Sequence, residues 1–161
     1  MSTSPGETTP ARTFDSPEQE VYLGLWRTYD RLRAFEDELF AAHNLTAQQY
    51  NALRLLRAAH PGSLPTLQLG SRLISRAPDI TRMVDRLEAA GLVRRERLPE
   101  NRRVVQVAIT DAGLELLRKL ARPVRDCARR QLGHLRPEQQ QQLIELLREA
   151  RSPHEDPHSG W

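Results

Sequence analysis

Apolar residues repeat at helical spacing over residues 76–88, where they occupy positions i, i+3, i+4 and i+7. This spacing predicts a helix with one buried face and an opposite face rich in arginine and aspartate. Ser75 is the predicted N-cap, Pro78 falls in the first turn, and Gly91 follows the last turn, where glycine accepts a left-handed conformation. The predicted buried positions are Ile80, Met83, Val84 and Leu87.

Beyond Gly91 the apolar period changes to that of a strand. Residues 92–98 and 103–109 are predicted strands, and the second alternates between two faces. The stretch 99–102 between them contains proline, asparagine and charge, which predicts an exposed hairpin tip. A short helix precedes the 76–88 helix, so the order is helix, turn, helix and hairpin. That order predicts a winged helix-turn-helix.

Four further helices flank this segment. The first two open with capping boxes at residues 16–19 and 46–49, and the last two begin at Thr110 and Pro137. Leu64 is predicted to form a very short third strand against the wing. The chain is therefore predicted to be mostly α-helical with a small β-hairpin wing.

The outer helices carry apolar stripes that one small winged module is too small to cover. In a monomer these stripes would expose contiguous apolar surface, which usually marks an interface, so we expect a homodimer. A length of 161 residues with 39% hydrophobic residues suits one domain. The predicted organisation is a disordered tail at 1–15, a single domain at 16–151 with a winged core at 45–110 and dimerisation helices at 16–43 and 111–151, and a disordered tail at 152–161.

Basic charge is concentrated in the predicted winged segment. Residues 71–106 contain nine arginines and five acidic residues, a net charge of +4, whereas the whole chain carries +3. A local excess on a helix and hairpin suits the release of counterions from DNA phosphates, whereas charge needed only for solubility would be spread out. The charge distribution therefore favours double-stranded DNA as the binding partner.

Several classes of protein do not fit the sequence. No run of 18 apolar residues occurs, and the first residues lack the basic and apolar regions of a signal peptide, which predicts a cytoplasmic protein with no membrane partner. No nucleophile with a base, metal cluster or glycine-rich phosphate loop is recognisable. We therefore expect no enzyme, no catalytic residues and no cofactor.

The single cysteine and the C-terminal histidines have ordinary interpretations. Cys127 lies on the apolar stripe of a long helix, where a lone cysteine is interpreted as a small hydrophobe rather than a redox sensor. His154 and His158 are four positions apart, but Pro157 lies between them and no third ligand is near in the sequence. We expect no metal site there.

Three segments together resemble the MarR (multiple antibiotic resistance regulator) family of transcription factors. They are residues 45–50, residues 80–93, and residues 101–110, which have the spacing of the family's wing motif. The resemblance covers roughly residues 18–150. It implies a homodimer paired through its terminal helices, with two recognition helices about one DNA turn, roughly 34 Å, apart on a pseudo-palindromic operator.

The chain departs from the family pattern at two positions. Asn101 stands where the family usually has aspartate, so an ion pair at the base of the wing would become a neutral hydrogen bond. Ser75 lies one residue earlier than the family's usual serine, which shifts the expected register of base contacts by one position.

The candidate DNA-binding residues lie on the predicted recognition helix and the wing. Arginine can grip guanine O6 and N7 in the major groove, and a hairpin tip can reach the minor groove or the phosphates. On the predicted strand at 92–98, Arg95 rather than Arg94 is predicted to face outward with Arg97. The candidates are Ser75, Arg76, Ala77, Asp79, Thr81 and Arg82 on the helix and Arg95, Arg97, Asn101, Arg102 and Arg103 on the wing.

Two residues of the predicted helix have competing interpretations. Asp79 could accept a hydrogen bond from cytosine N4, or it could cap the first turn and interact with the helix dipole. Arg86 lies one turn after Arg82, but an internal pairing with Glu88, Asp85 or a neighbouring helix is the favoured interpretation.

Three aromatic residues with polar groups could line a cleft for a small effector. The resemblance implies that the first two helices border such a cleft, which would take an aromatic or anionic lipophilic molecule. The candidates are Trp26, Tyr29 and Tyr50. Packing in a core or a dimer interface explains the same residues and is the favoured interpretation.

The sequence therefore predicts a homodimeric, sequence-specific transcription regulator that represses by binding a pseudo-palindromic operator and is released by a small molecule. The alternative is a dimeric helical scaffold that has kept the winged fold for protein contacts. The asparagine at position 101 is the feature that favours this alternative.

Overall fold

A computed structural model of the chain describes residues 14–157. The elements of this range are α1 (Pro17–Ala41), α2 (Ala47–Ala59), β1 (Leu64–Pro65), α3 (Thr66–Arg72), α4 (Ile80–Ala89), β2 (Val93–Leu98), β3 (Asn101–Ile109), α5 (Asp111–Leu132), α6 (Pro137–Arg151) and a 3₁₀ turn at Ser152–His154. Most of the N-terminal tail and the C-terminal residues 158–161, with His158, lie outside the described residues. Residues 152–161 are predicted to be a disordered tail, but the structure shows a 3₁₀ turn at Ser152–His154.

The chain divides into two compact units, residues 1–34 and 35–161. The described part of the first unit is the start of α1, where the Ser16 hydroxyl accepts a hydrogen bond from the Gln19 backbone N–H at 3.2 Å. The Gln19 amide oxygen accepts from the backbone N–H of Asp15 rather than Ser16, at 2.8 Å, so the predicted capping box is only half formed. Tyr22 and Trp26 make a tilted ring contact at 6.4 Å.

The second unit contains the hydrophobic core. Helices α2, α3, α4 and α5 and strand β3 each contribute fully buried side chains. Of the predicted positions on α4, three are buried and Ile80 packs against the core in part. The largest fully buried residues are Leu53, Leu56, Leu69, Val84, Leu87, Val107, Ile109, Leu117 and Leu120.

The three strands form an antiparallel sheet in the order β1-β3-β2. Leu64 pairs with Val107, which confirms the predicted third strand. The hairpin register runs from Val93 opposite Ile109 to the tip, where it shifts after Arg97. Strand β3 begins at Asn101, two residues before its predicted start, because Asn101 already pairs with Leu98 of β2.

Helix α4 begins four residues later than predicted, and Ser75 is not its N-cap. Asp79 is the N-cap, and its carboxylate accepts a hydrogen bond from the Arg82 N–H at 2.9 Å. The physical reason is Pro78, because a proline disfavours helical geometry in the residue before it, here Ala77. The end of the helix agrees with the prediction, since Gly91 has a left-handed φ of 72°.

Candidate nucleic-acid interface

The exposed face of α4 carries two arginines one helical turn apart. Arg82 and Arg86 line a groove of about 280 Å³ between α4 and the start of α2, with Gln48 on its other side. Thr81 is exposed beside them. A groove with two guanidinium groups on one wall offers several hydrogen-bond donors to an acceptor-rich ligand.

The favoured interpretation of Arg86, an internal ion pair, is wrong. Its side chain is exposed, and within residues 14–157 it makes no ion pair or hydrogen bond with a carboxylate. Glu88 and Asp85 are its predicted partners, but both bind another arginine on the wing. Arg86 therefore belongs with Arg82 among the cations available to a ligand.

Of the two roles predicted for Asp79, the structure shows the capping of the first turn of α4. Its carboxylate satisfies the first turn of α4 by accepting from Arg82 N–H at 2.9 Å, and the negative charge lies at the positive end of the helix dipole. This bond orients the side chain toward the helix backbone.

The residues before α4 are held by side chains from α2. The Gln48 amide donates to the Ser75 hydroxyl oxygen at 3.1 Å and to the Arg76 carbonyl oxygen at 3.4 Å. The Asn51 side-chain oxygen accepts from the Ile74 N–H at 3.0 Å. Arg76 itself is exposed, so this segment presents a cation beside the recognition helix. Gln48 and Asn51 are not among the predicted site residues, because their partners lie 23 to 28 positions away in the sequence.

The tip of the wing presents three exposed arginines. The Arg97 guanidinium donates to the Arg102 carbonyl oxygen across the hairpin at 3.0 Å. The Asn101 side-chain oxygen accepts from the Arg103 backbone N–H at 3.3 Å, a neutral hydrogen bond within the hairpin tip rather than at the base of the wing. The side chains of Arg102 and Arg103 have no carboxylate partner within residues 14–157.

The prediction that Arg95 faces outward with Arg97 is wrong. Its guanidinium binds Glu88 at 2.6 Å and Asp85 at 2.5 Å, and it also donates to the Thr81 carbonyl oxygen at 3.2 Å. The side chain is 25% exposed. The alternation of β2 correctly separates Arg95 from Arg94, but the face that carries Arg95 packs toward α4. Arg95 is therefore a brace between the wing and the recognition helix.

In this brace, Arg95 and Glu88 each stabilise the charged form of the other. The pKa of Glu88 lies below its ordinary value, first because its carboxylate accepts the Arg95 backbone N–H and then because it accepts the guanidinium. Partial burial acts to lower the pKa of Arg95, yet hydrogen bonds to Asp85 and Glu88 raise it above its ordinary value. Glu88 and Arg95 therefore both stay charged at neutral pH.

Comparison with known proteins identifies the fold. The model of the MarR family matches residues 45–105. A MarR transcription factor from Planctomyces limnophilus is 59% identical, with a TM-score of 0.68 over 84% of this chain and 98% of that one. The uncharacterized HTH-type transcriptional regulator YkoM of Bacillus subtilis is 32% identical over 143 residues, which span 86% of this chain and 91% of the relative. The chain belongs to the MarR family.

A solved structure in complex with DNA has the same fold. The MarR family transcriptional regulator Sco3205 from Streptomyces coelicolor superposes with a TM-score of 0.79 at 25% identity, over 94% of this chain and 97% of that one. The predicted winged helix-turn-helix and the predicted class, a DNA-binding transcription regulator, are confirmed. Within residues 14–157, none of the helices combines the length and the apolar character that a membrane span requires.

The three effector candidates of this MarR-family protein have different surroundings. Tyr50 stacks on Phe40 with ring centroids 4.7 Å apart, so it serves core packing in the second unit. Trp26 and Tyr29 are 63% and 61% exposed on the first unit. Trp26 lines an open groove of about 550 Å³ with Phe14 and Arg27. Trp26 and Tyr29 are thus available for a ligand or a partner.

Cys127 is buried, in agreement with its interpretation as a small hydrophobe. Burial raises the pKa of its thiol, and the nearby Glu36 carboxylate raises it further, so the thiolate is disfavoured. Among the described residues, no group of three histidine, cysteine, aspartate or glutamate side chains could hold a metal ion.

Proposed function

We propose that this regulator binds a pseudo-palindromic operator as a homodimer and represses transcription by blocking the promoter. The observation that supports this most strongly is the set of exposed arginines without carboxylate partners on α4 and on the wing. Counterion release requires such charge, whereas arginines already paired with acids would contribute little. We further propose that the protein acts in the cytoplasm, where the operator is, and has no catalytic activity.

In this proposal the helix reads bases and the wing contacts the backbone or the minor groove. Arg82 and Arg86 extend from α4 into the major groove, where each bidentate contact to guanine discriminates by about 1 to 3 kcal/mol. Thr81, Ala77, Asp79 and the segment with Ser75 and Arg76 flank them. At the hairpin tip, the wing contacts are Arg97, Asn101, Arg102 and Arg103.

The homodimer is proposed from exposed apolar residues on each unit. Tyr22, Trp26 and Tyr29 are exposed on the first unit, and Ile144 and Leu146 are exposed on the second. Patches of this kind on terminal helices usually form interfaces. Dimerisation would place two recognition helices about one DNA turn apart, which explains why an operator would be pseudo-palindromic.

Release by a small molecule completes the proposed mechanism. An effector releases DNA only to the extent that it prefers the geometry that does not bind, and a tenfold loss of affinity requires about 1.4 kcal/mol. The groove at Trp26 is a candidate site for an aromatic or anionic lipophilic effector. The exposed cations favour this regulator over a scaffold without specific DNA binding.

A binding titration at two salt concentrations tests the proposal. The wild-type protein is titrated with fragments selected from genomic DNA, and we expect a steep salt dependence together with a retained sequence preference. A scaffold would show neither, and that result would overturn the proposed function.

Two substitutions separate base reading from phosphate binding. Arg82→Ala should lower affinity for the selected fragment by about 1 to 3 kcal/mol and relax the preference at one base pair. Arg103→Ala should weaken binding on most sequences and reduce the salt slope by about one. Arg57→Ala, exposed on the last turn of α2 and outside both the proposed DNA contacts and the proposed dimer interface, is the control and should leave both unchanged. If the first two variants bind like the wild type, the proposed contacts are wrong.

A further inference from the structure

The segment between α3 and α4 depends on side chains for its hydrogen bonds. Residues 74–76 belong to no helix or strand, and within residues 14–157 no hydrogen bond between backbone groups reaches them. Three of their polar groups, the Ile74 N–H, the Ser75 hydroxyl and the Arg76 carbonyl, instead bind Gln48 and Asn51 of α2. An exposed segment without backbone bonds has many conformations, so these side chains decide which one it adopts.

The two side chains of α2 are complementary to the segment in position and in chemistry. Gln48 and Asn51 are three positions apart and therefore share one face of the helix. Asn51 supplies an acceptor for the Ile74 N–H, and Gln48 supplies donors for the Arg76 carbonyl and the Ser75 hydroxyl. The segment is thereby held at both of its ends.

The bond to Ser75 also sets the direction of its hydroxyl group. A serine hydroxyl has one proton to donate and two lone pairs that accept. Because the Gln48 amide occupies a lone pair, the Ser75 proton is left to donate. Phosphate oxygens only accept hydrogen bonds, so this arrangement suits a backbone contact.

We propose that Gln48 and Asn51 are positioning residues for DNA recognition. They act through the segment at 74–76, placing the Arg76 guanidinium and the Ser75 hydroxyl beside α4 before DNA arrives. Preorganisation of this kind improves affinity because less conformational freedom is lost on binding. The inference rests on the proposed function, since it concerns the same DNA contacts.

The test compares full-length variants that remove the polar groups with little change of volume. Gln48→Met and Asn51→Leu are titrated against a labelled duplex selected by the wild-type protein, with Gln142→Met on α6 as the matched control. We expect each of the first two to lose about fivefold in affinity, which corresponds to about 1 kcal/mol for one net hydrogen bond. The control should bind like the wild type, and all three variants should keep a cooperative thermal transition within about 4 °C of that of the wild type.

A double-mutant comparison separates positioning from direct contact. In a Ser75→Ala, Arg76→Ala background, Gln48→Met should have little further effect, because the groups that it positions are gone. An undiminished fivefold loss in that background would mean that Gln48 contacts DNA itself and would overturn the positioning role.

Hydrogen exchange tests the same inference without DNA. The Ile74 amide should exchange faster in Asn51→Leu than in the wild type, because its acceptor is removed. Unchanged exchange, or variants that bind like the wild type, would refute the inference while wild-type binding still supported the proposed function. Failure of the wild type itself to bind DNA would instead refute the proposed function.

Discussion

At the scale of single residues, the partners of each arginine decide what it can contribute to DNA binding. The Arg95 guanidinium is held by two carboxylates, whereas the guanidinium groups of Arg82, Arg86 and Arg103 have no carboxylate partner within the described range. Because a guanidinium already bound to acids has little charge left to offer a phosphate, the effective basic surface is smaller than the arginine count of the segment indicates.

Replacing Arg95 with methionine should loosen the wing from α4. The variant Arg95→Met keeps the alkyl packing but loses the links to Glu88 and Asp85, and we expect a loss of about 1 kcal/mol in the free energy of unfolding. Arg95→Lys should restore little, because one ammonium group does not reproduce the fork of a guanidinium. Urea unfolding measures both.

A matched control for Arg95 lies on α5. Arg118 pairs with Glu115 but is 78% exposed, so Arg118→Met should leave stability almost unchanged. Equal losses for Arg118→Met and Arg95→Met would contradict the view that Arg95 is a structural brace.

The acid sensitivity of the brace follows from Glu88. Its pKa is lowered in the folded state from an ordinary value of 4.5, so its stabilising effect is complete above that value and is lost as pH falls through the depressed folded pKa. Glu88→Gln should therefore be less stable than the wild type at neutral pH, and the difference should shrink below the ordinary pKa. Unfolding curves of both proteins at several acidic pH values measure this, and a constant difference would refute it.

At the scale of elements, α4 is delimited by local chemistry at both ends. Asp79 caps its first turn. At its other end Gly91 N–H binds the Glu88 carbonyl at 2.8 Å and Leu92 N–H binds the Leu87 carbonyl at 3.0 Å, which is a Schellman motif. Because β2 begins two residues after Gly91, this turn also sets where the wing starts.

Gly91→Ala tests the importance of that turn. Nothing lies within 4 Å of an added Cβ, so the cost comes from the left-handed backbone alone, and we expect a loss of about 1 kcal/mol in stability. Gly91→Asn is the control and should lose less, because asparagine tolerates this conformation. Equal losses for the two variants, measured by thermal unfolding, would contradict the explanation.

At the scale of the whole molecule, the proposed dimer depends on the apolar residues that each unit exposes. Leu146 is 62% exposed on α6, and Leu67 is 84% exposed on α3 of the winged core. Exposure alone does not distinguish an interface from an isolated apolar residue. Only the residues on the terminal helices are expected to become buried in a dimer.

Substitution by glutamate should distinguish the two surfaces. Leu146→Glu should shift the equilibrium from dimer to monomer, because it would place a charge in an apolar interface. Leu67→Glu introduces the same change outside the proposed interface and should leave the dimer intact. Analytical ultracentrifugation at micromolar concentration measures both, and a monomeric wild-type protein would refute the proposed dimer.

Local patterns in the sequence determined the elements and the family. Helical spacing located the buried face of α4, alternation located the wing, and Gly91 marked the turn between them, because each depends on neighbours within a few residues. The true start of α4 was also encoded locally, since Pro78 disfavours helix at Ala77.

Tertiary structure alone decided which polar side chains meet. The alternation of β2 separates Arg95 from Arg94, but only the packing of the hairpin against α4 brings Arg95 to Glu88 and Asp85 and leaves Arg86 free of both. The bonds from Gln48 and Asn51 to residues 74–76 likewise join positions more than 20 residues apart. Such contacts depend on how whole elements are oriented, and no local periodicity records that orientation.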